Sequence, residues 1–153
     1  MIKGNKGEWS ELYVLLRLLA YGKIYAADDQ VKKIKNVYFP ILKIIREEVK
    51  GKRLEYRIGK NEDVEIYSND IKIKSISKER LKKEADYLYN EIVNMKSRSF
   101  EIEQTEKFAN EIECYRLSAP STDKTDIKIQ IHDIHTGFEP VCGFSIKSEL
   151  GSA

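Results

Sequence analysis

The chain has 153 residues, of which 41% are hydrophobic and 34% charged, with a formal net charge of +2 at pH 7. This length and apolar content are enough for one core, so we expect a single domain or one domain with an appended piece. Its two cysteines show no CxxC or Cys/His spacing, which argues against a disulfide framework or a zinc site. The longest apolar run is too short for a membrane span, so we expect a soluble, cytoplasmic protein.

Positive charge is concentrated in one stretch of the chain. Residues 31–60 contain ten Lys or Arg side chains and three acids, whereas residues 99–114 contain five glutamates and one lysine. Such an uneven distribution is typical of a protein with one basic face for a polyanion. The alternative interpretation is ordinary solvated charge, because lysine is common on protein surfaces.

The first half of the chain predicts one helix followed by several strands. Residues 7–21 carry leucines at helical spacing, with Asn5 as a candidate N-cap and Gly22 just beyond the end. Pro40 lies within a β-branched stretch and indicates an edge strand or a bulge there. The predicted strands of this half are residues 36–49, 53–58, 63–67 and 71–76, and residues 23–26 are either a short strand or an extended loop.

The second half predicts two helices and then two strands. Ser77 opens a helix that runs to about Met95, and a second helical piece covers Thr105–Glu113. After a loop of small polar residues, strands are predicted over Asp126–His132 and Val141–Ser148. The predicted fold class is therefore α+β, with a mixed β-sheet and flanking helices.

The two C-terminal strands bring together residues with the chemistry of phosphodiester hydrolysis. In an antiparallel pair with its apolar faces on one core, Asp126 shares the polar side with Ser145 and Lys147. Asp126 and the backbone carbonyl of Ile146 could hold Mg²⁺, a cation that prefers oxygen ligands. Lys147 could orient or deprotonate the attacking water and offset developing negative charge.

The order Pro120, Asp126, Ser145, Lys147 resembles the PD-(D/E)xK pattern of nucleases, with one departure. Ser145 stands where that pattern usually has an acid, so one carboxylate ligand is missing. Nucleases of this superfamily often place a glutamate from an early helix beside the metal, and Glu8 is the candidate here. Glu11, one helical turn further on, is the competing candidate, and the structural alternative for Glu8 is a position at a frayed helix start, stabilised by the helix dipole.

Four segments of the chain resemble type II restriction endonucleases of the HpaII family. They are NKGEWSELY at 5–13, IYAAD at 24–28, YFPILKIIRE at 38–47, and TDIKI…GFSIKSELGS within 125–152. The resemblance extends over nearly the whole chain in order. Because members of that family are longer, it implies that residues 1–153 are either a single domain or the N-terminal catalytic portion of a longer endonuclease.

The resemblance also implies an activity and partners. The expected reaction is Mg²⁺-dependent cleavage of double-stranded DNA at a short palindrome, with CCGG as the namesake specificity. A partner DNA methyltransferase would belong to the same restriction system, and a palindromic target favours a homodimer. Two other functions stay open: a non-catalytic DNA-binding module, which Ser145 favours, and a repair nuclease of the same fold without strict specificity.

The basic stretch supplies candidate contacts to the DNA backbone. Lysines and arginines placed against phosphates add affinity and salt dependence without reading sequence. These candidates, grouped around a predicted turn, are Lys50, Lys52, Arg53, Arg57 and Lys60.

Two further polar segments are interpreted as turns. His132, Asp133 and His135 lack a fourth metal ligand. Asp123 is a possible ligand for a second metal, but a turn or capping role is favoured.

Overall fold

The computed structural model describes residues 1–27, 33–117 and 127–144. The helices are α1 (Lys6–Tyr21), α2 (Lys78–Asn94) and α3 (Glu103–Glu111). The strands are β1 (Lys23–Ala27), β2 (Lys33–Val49), β3 (Lys52–Ile58), β4 (Val64–Ser68), β5 (Ile71–Ile76), β6 (Ile127–Ile131) and β7 (Val141–Phe144). The predicted α+β class, with a sheet and accompanying helices, is confirmed.

The described strands form one sheet in the order β5-β4-β3-β2-β6-β7, and β1 pairs with the first half of β2. Each described pair is antiparallel, where a mixed sheet was predicted. For the pairs β2–β3, β3–β4, β4–β5 and β6–β7 the reason is that the two strands follow each other in a hairpin. Short connections of this kind produce antiparallel neighbours.

Helix α1 begins and ends as its sequence signals predict. The Asn5 side chain accepts a hydrogen bond from the Glu8 amide, and Gly22 ends the helix with φ of 68°. Trp9 is fully buried, and its indole N–H donates to the Phe100 carbonyl at 3.1 Å. The first helix is therefore fixed at its start, its end and its buried face.

The long strand β2 lies in the interior of the sheet, so of the two alternatives predicted for Pro40 the edge strand is wrong, whereas the register shift beside it agrees with the bulge. The carbonyl of Pro40 accepts from the His132 amide at 2.9 Å, next to the last residue pair of the β2–β6 ladder, Ile41 with Ile131. In an antiparallel strand the N–H and C=O of one residue point to the same side. Proline has no backbone N–H, and at position 40 that group would point past the end of the β2–β6 ladder, so the ladder loses no hydrogen bond. A register shift follows between Ile41 and Lys43.

One face of the sheet packs into the core together with the helices. Ile44, Tyr56, Ile66 and Ile129 lie in the same buried cluster as the leucines of α1. Strand alternation sends the intervening side chains to the opposite side. We call that side the polar face, and its central members are Lys43, Arg53, Glu55, Arg57 and Lys128.

None of the helices in the described part of the chain combines the length and the apolar content needed to cross a lipid bilayer.

Candidate functional site

The β6–β7 hairpin forms as predicted over the residues that are described. Ile127 pairs with Phe144 and Ile129 pairs with Cys142. Ile127 and Ile129 are buried, whereas Lys128 between them is exposed. The hairpin therefore has an apolar side on the core and a polar side directed away from it, which is the arrangement on which the nuclease hypothesis depends.

The residues proposed for chemistry at this hairpin lie outside the described residues. These are Asp126, Ser145, Ile146 and Lys147, and the alternative ligand Asp123 is outside them as well. In sequence, Asp126 precedes Ile127 and Ser145 follows Phe144, the two members of the final described pair. Their assignment to a metal site stays a prediction.

Glu8 takes part in a complete capping box at the start of α1. Its carboxylate accepts from the Asn5 amide at 3.1 Å, while the Asn5 side chain accepts from the Glu8 amide at 2.8 Å. A carboxylate in the first turn also stabilises the helix, because its negative charge interacts favourably with the helix dipole. The structure thus gives Glu8 a structural role, and its role as a metal ligand stays a prediction.

The five basic candidates do not form one group. Lys50 and Lys52 are exposed beside the β2–β3 turn, whereas Lys60 is exposed beyond the other end of β3. A seven-residue strand is about 20 Å long, so these lysines could contact only well-separated phosphates. Lys52 lies over the Tyr115 ring, 6.0 Å from its centroid.

Arg53 and Arg57, in contrast, lie on the polar face and share one acid, Glu55. Arg53 contacts the Glu55 carboxylate at 2.7 Å, Arg57 contacts it at 2.8 Å, and Lys43 from β2 contacts it at 3.3 Å. The Glu55 side chain is only 4% exposed. The signal for this arrangement is present in the sequence as Arg-x-Glu-x-Arg at strand spacing, but the contribution of Lys43 comes from another strand.

The surroundings of Glu55 favour its charged form. Burial alone raises the pKa of this carboxyl group, but hydrogen bonds from Arg57 and Lys43 and the charges of Lys43 and Arg53 outweigh burial. The pKa of Glu55 is therefore lowered from its usual value of 4.5.

This shift predicts an acid-dependent loss of stability. A group whose pKa is lower in the folded state stabilises the fold above its unfolded pKa, and that contribution disappears as pH falls through the folded pKa. We expect the unfolding free energy of wild-type protein to exceed that of Glu55→Gln at neutral pH, with the difference shrinking below about pH 4. Urea unfolding of both proteins at several pH values measures this difference, and a constant difference would contradict it.

A second ion pair, Arg46 with Glu48, is buried at the other side of the sheet. Two guanidinium nitrogens of Arg46 donate to Glu48 at 3.2 and 3.1 Å. Glu48 also accepts from the backbone amides of Tyr115 and Arg116, each at 3.0 Å. This pair holds Tyr115 and Arg116, which follow α3, against β2. The charge count of the sequence did not reveal it.

The turn between β6 and β7 is a hydrogen-bonded polar turn, as interpreted. Asp133 accepts from the His135 amide at 2.9 Å, and His132 contacts Glu139 at 3.1 Å. Within residues 1–27, 33–117 and 127–144, no group of three or more His, Cys, Asp or Glu residues is placed to hold a metal ion.

Comparison with known proteins establishes the family. A family model described as HpaII restriction endonuclease matches residues 5–153. The chain belongs to the HpaII restriction endonuclease family. It is 40% identical over 152 residues to the type II restriction enzyme HpaII of Haemophilus parainfluenzae. That alignment covers 97% of this chain and 41% of the relative, so the chain spans less than half the length of that HpaII enzyme.

No solved structure matches this chain.

Proposed function

We propose that this chain is the catalytic portion of a type II restriction endonuclease that hydrolyses phosphodiester bonds of double-stranded DNA. The observation that carries the proposal is the family match over residues 5–153, which includes the β6–β7 hairpin and the residues on both sides of it. The proposed target is a short palindrome, with CCGG as the first candidate. A homodimer would match the two-fold symmetry of such a target.

The proposed metal ligands are hard oxygen donors, which suits Mg²⁺. They are the carboxylate of Asp126, the backbone carbonyl of Ile146 and the carboxylate of Glu8, with Glu11 as the competing helix acid. Mg²⁺ has this ligand preference and keeps several waters when bound. When bound, it would supply Lewis acidity at the phosphate and lower the pKa of a bound water.

Lys147 is proposed to act on the attacking water and on the developing charge. Its ammonium would orient that water for in-line attack on phosphorus and stabilise the negative charge that accumulates on the phosphate oxygens. Ser145 is proposed to occupy the position that an acid holds in related nucleases, where its hydroxyl can donate or accept a hydrogen bond. The mechanism needs one step and no covalent intermediate.

The backbone candidates would bind DNA without reading its sequence. Arg53 and Arg57 on the polar face, and Lys50, Lys52 and Lys60 at the two ends of β3, are the proposed phosphate contacts. The cytoplasm is the proposed location, and a DNA methyltransferase that protects the host's own sites is the proposed partner in the restriction system.

A second candidate function is a DNA-binding module without catalysis, favoured by Ser145 in place of an acid. Digestion of plasmid DNA by the full-length protein with Mg²⁺ separates the possibilities. Discrete fragments with common end sequences are expected for a restriction endonuclease. A smear of fragments would indicate a nuclease without strict specificity, and intact but bound DNA would indicate the binding module.

A further inference from the structure

The polar face places three cations from two adjacent strands around one acid, Glu55, and a fourth cation, Lys128, lies on the neighbouring strand β6. By register, Lys43 of β2 lies opposite Arg57 of β3 on one side and Gln130 of β6 on the other. In the next row, Ile45 lies opposite Glu55 and Lys128. Directly opposed residues of paired strands share a face, so these side chains form a continuous surface across β3, β2 and β6.

The acid at the centre of this surface is buried by the side chains that bind it. Only 4% of the Glu55 side chain is exposed, whereas Lys43 is 23%, Arg57 34% and Arg53 50% exposed. The Glu55 carboxylate is therefore buried beneath this surface, while between about a quarter and a half of each of the three cationic side chains stays exposed.

One carboxylate cannot neutralise three cations. Lys43, Arg53 and Arg57 together carry +3 and Glu55 carries −1, so these four residues carry +2, which the Asp70 carboxylate beside Arg57 reduces to +1. Asp70 contacts Arg57 at 3.2 Å but is itself highly exposed. The remaining positive charge can bind an anion that approaches from solvent.

The arrangement also fixes the cations in position. Arg57 donates to Glu55 through Nε at 2.9 Å, and its guanidinium lies 3.8 Å from the centroid of the Tyr67 ring. Free lysine and arginine side chains lose considerable rotamer entropy when they bind a ligand. Side chains already held by an acid and an aromatic ring lose less on binding, so they bind more tightly for the same contacts.

We propose that Glu55 is a positioning residue that holds Lys43, Arg53 and Arg57 as a preformed binding platform for phosphates of the DNA backbone. The inference rests on the proposed function, because it takes double-stranded DNA as the ligand. It adds Lys43 and Glu55, which were not candidates on sequence, to Arg53 and Arg57.

The platform is close to the proposed catalytic hairpin. Strand β2, which carries Lys43, is paired directly with β6, and β3 is two strand spacings from β6, or about 10 Å. Lys128 lies between the platform and β7 on the same face. A single DNA duplex that contacts the platform can therefore also reach the hairpin.

The test compares two acids of the polar face, Glu55 and Glu65. Glu65 binds one cation, Lys72, at 2.8 Å, and so Glu65→Gln removes the same charge as Glu55→Gln without releasing the platform. The measurement is the dissociation constant of the full-length protein for a DNA duplex at several salt concentrations, without Mg²⁺. Thermal unfolding at the assay pH is recorded for each variant.

The positioning role predicts opposite effects for the two variants. Glu65→Gln should leave DNA affinity unchanged or raise it, because a negative charge is lost. Glu55→Gln should lower affinity about fivefold or more and reduce the salt slope by about one to two, since each lost phosphate contact removes about 0.9. Equal effects of the two variants would overturn the inference.

Glu55→Asp keeps the test decisive if the glutamine variant unfolds. Aspartate retains the negative charge, but its side chain is shorter by one methylene group. A positioning role for Glu55 therefore predicts weaker DNA binding by this variant. A role in charge balance alone predicts DNA binding equal to that of the wild-type protein. If wild-type protein binds and cuts DNA but Glu55→Asp binds equally well, only this inference fails. If wild-type protein does not bind DNA, the proposed function fails with it.

Discussion

Lys147→Ala is expected to reduce DNA cleavage by roughly 10²–10⁴-fold while leaving DNA affinity within a few-fold of wild type. The expected loss is that of a group that positions a reacting water and stabilises charge in the transition state. Asp126→Asn should reduce cleavage at least as much, because it weakens the proposed metal ligand. Single-turnover cleavage of a duplex that contains the target site, together with binding measured without Mg²⁺, separates the two effects.

The controls for this prediction are matched variants near the site. Lys128→Ala removes an exposed lysine from the same hairpin and should retain the cleavage step. Glu8→Gln and Glu11→Gln are compared over a range of Mg²⁺ concentrations. The variant that requires more Mg²⁺ for cleavage identifies which glutamate of α1 acts as the metal ligand. Cleavage by Lys147→Ala at the wild-type rate would contradict the catalytic role of Lys147.

Arg46→Met is expected to lower the unfolding free energy by about 3–5 kcal/mol. The Arg46 and Glu48 side chains are only 5% and 6% exposed. The variant therefore leaves a buried carboxylate without its cation. Hydrogen exchange should also accelerate at the amides of Tyr115 and Arg116, which donate to Glu48. Urea unfolding and exchange measured by mass spectrometry test both results.

Lys107→Met is the matched control for the buried pair. Lys107 also forms an ion pair, with Glu103 at 3.2 Å, but both side chains are about three-quarters exposed. Exposed pairs contribute little, so this variant should change the unfolding free energy by no more than about 0.5 kcal/mol. Similar losses for Arg46→Met and Lys107→Met would show that burial of the first pair has no energetic consequence.

Local signals in the sequence predicted the secondary structure well. The Asn5 cap and Gly22 defined α1, and Ser77 defined the start of α2, because capping chemistry is read from neighbouring residues. Hairpin turns were likewise visible: Asn69 and Asp70 both adopt positive φ between β4 and β5.

Features that join distant segments could not be predicted in the same way. The pairing of β2 with β6 brings Ile44 beside Ile129, and this contact put Pro40 in the sheet interior instead of at an edge. The contribution of Lys43 to Glu55 depends on the pairing of β2 with β3, and the Arg46–Glu48 pair is completed by the backbone amides of Tyr115 and Arg116 after α3. Charge counts along the chain treat Glu48 and Glu55 alike, although they lie on opposite faces of the sheet.

The candidate site was predicted from a different kind of signal. Alternation along residues 126–132 and 141–148 indicated which side chains share a face, and the described pairs from Ile127 to Phe144 agree with it. The chemical roles of Asp126, Ser145 and Lys147 came from residue type and family resemblance. Family membership is now established, whereas those roles are proposals that cleavage assays decide.

Plasmid digestion by the full-length protein, with Mg²⁺ and again with EDTA, tests the central claim most directly. The proposed function predicts discrete fragments whose ends fall within one short palindrome, formed with Mg²⁺ and absent with EDTA. Plasmid that stays intact at every Mg²⁺ concentration, although the protein binds it, would contradict the claim.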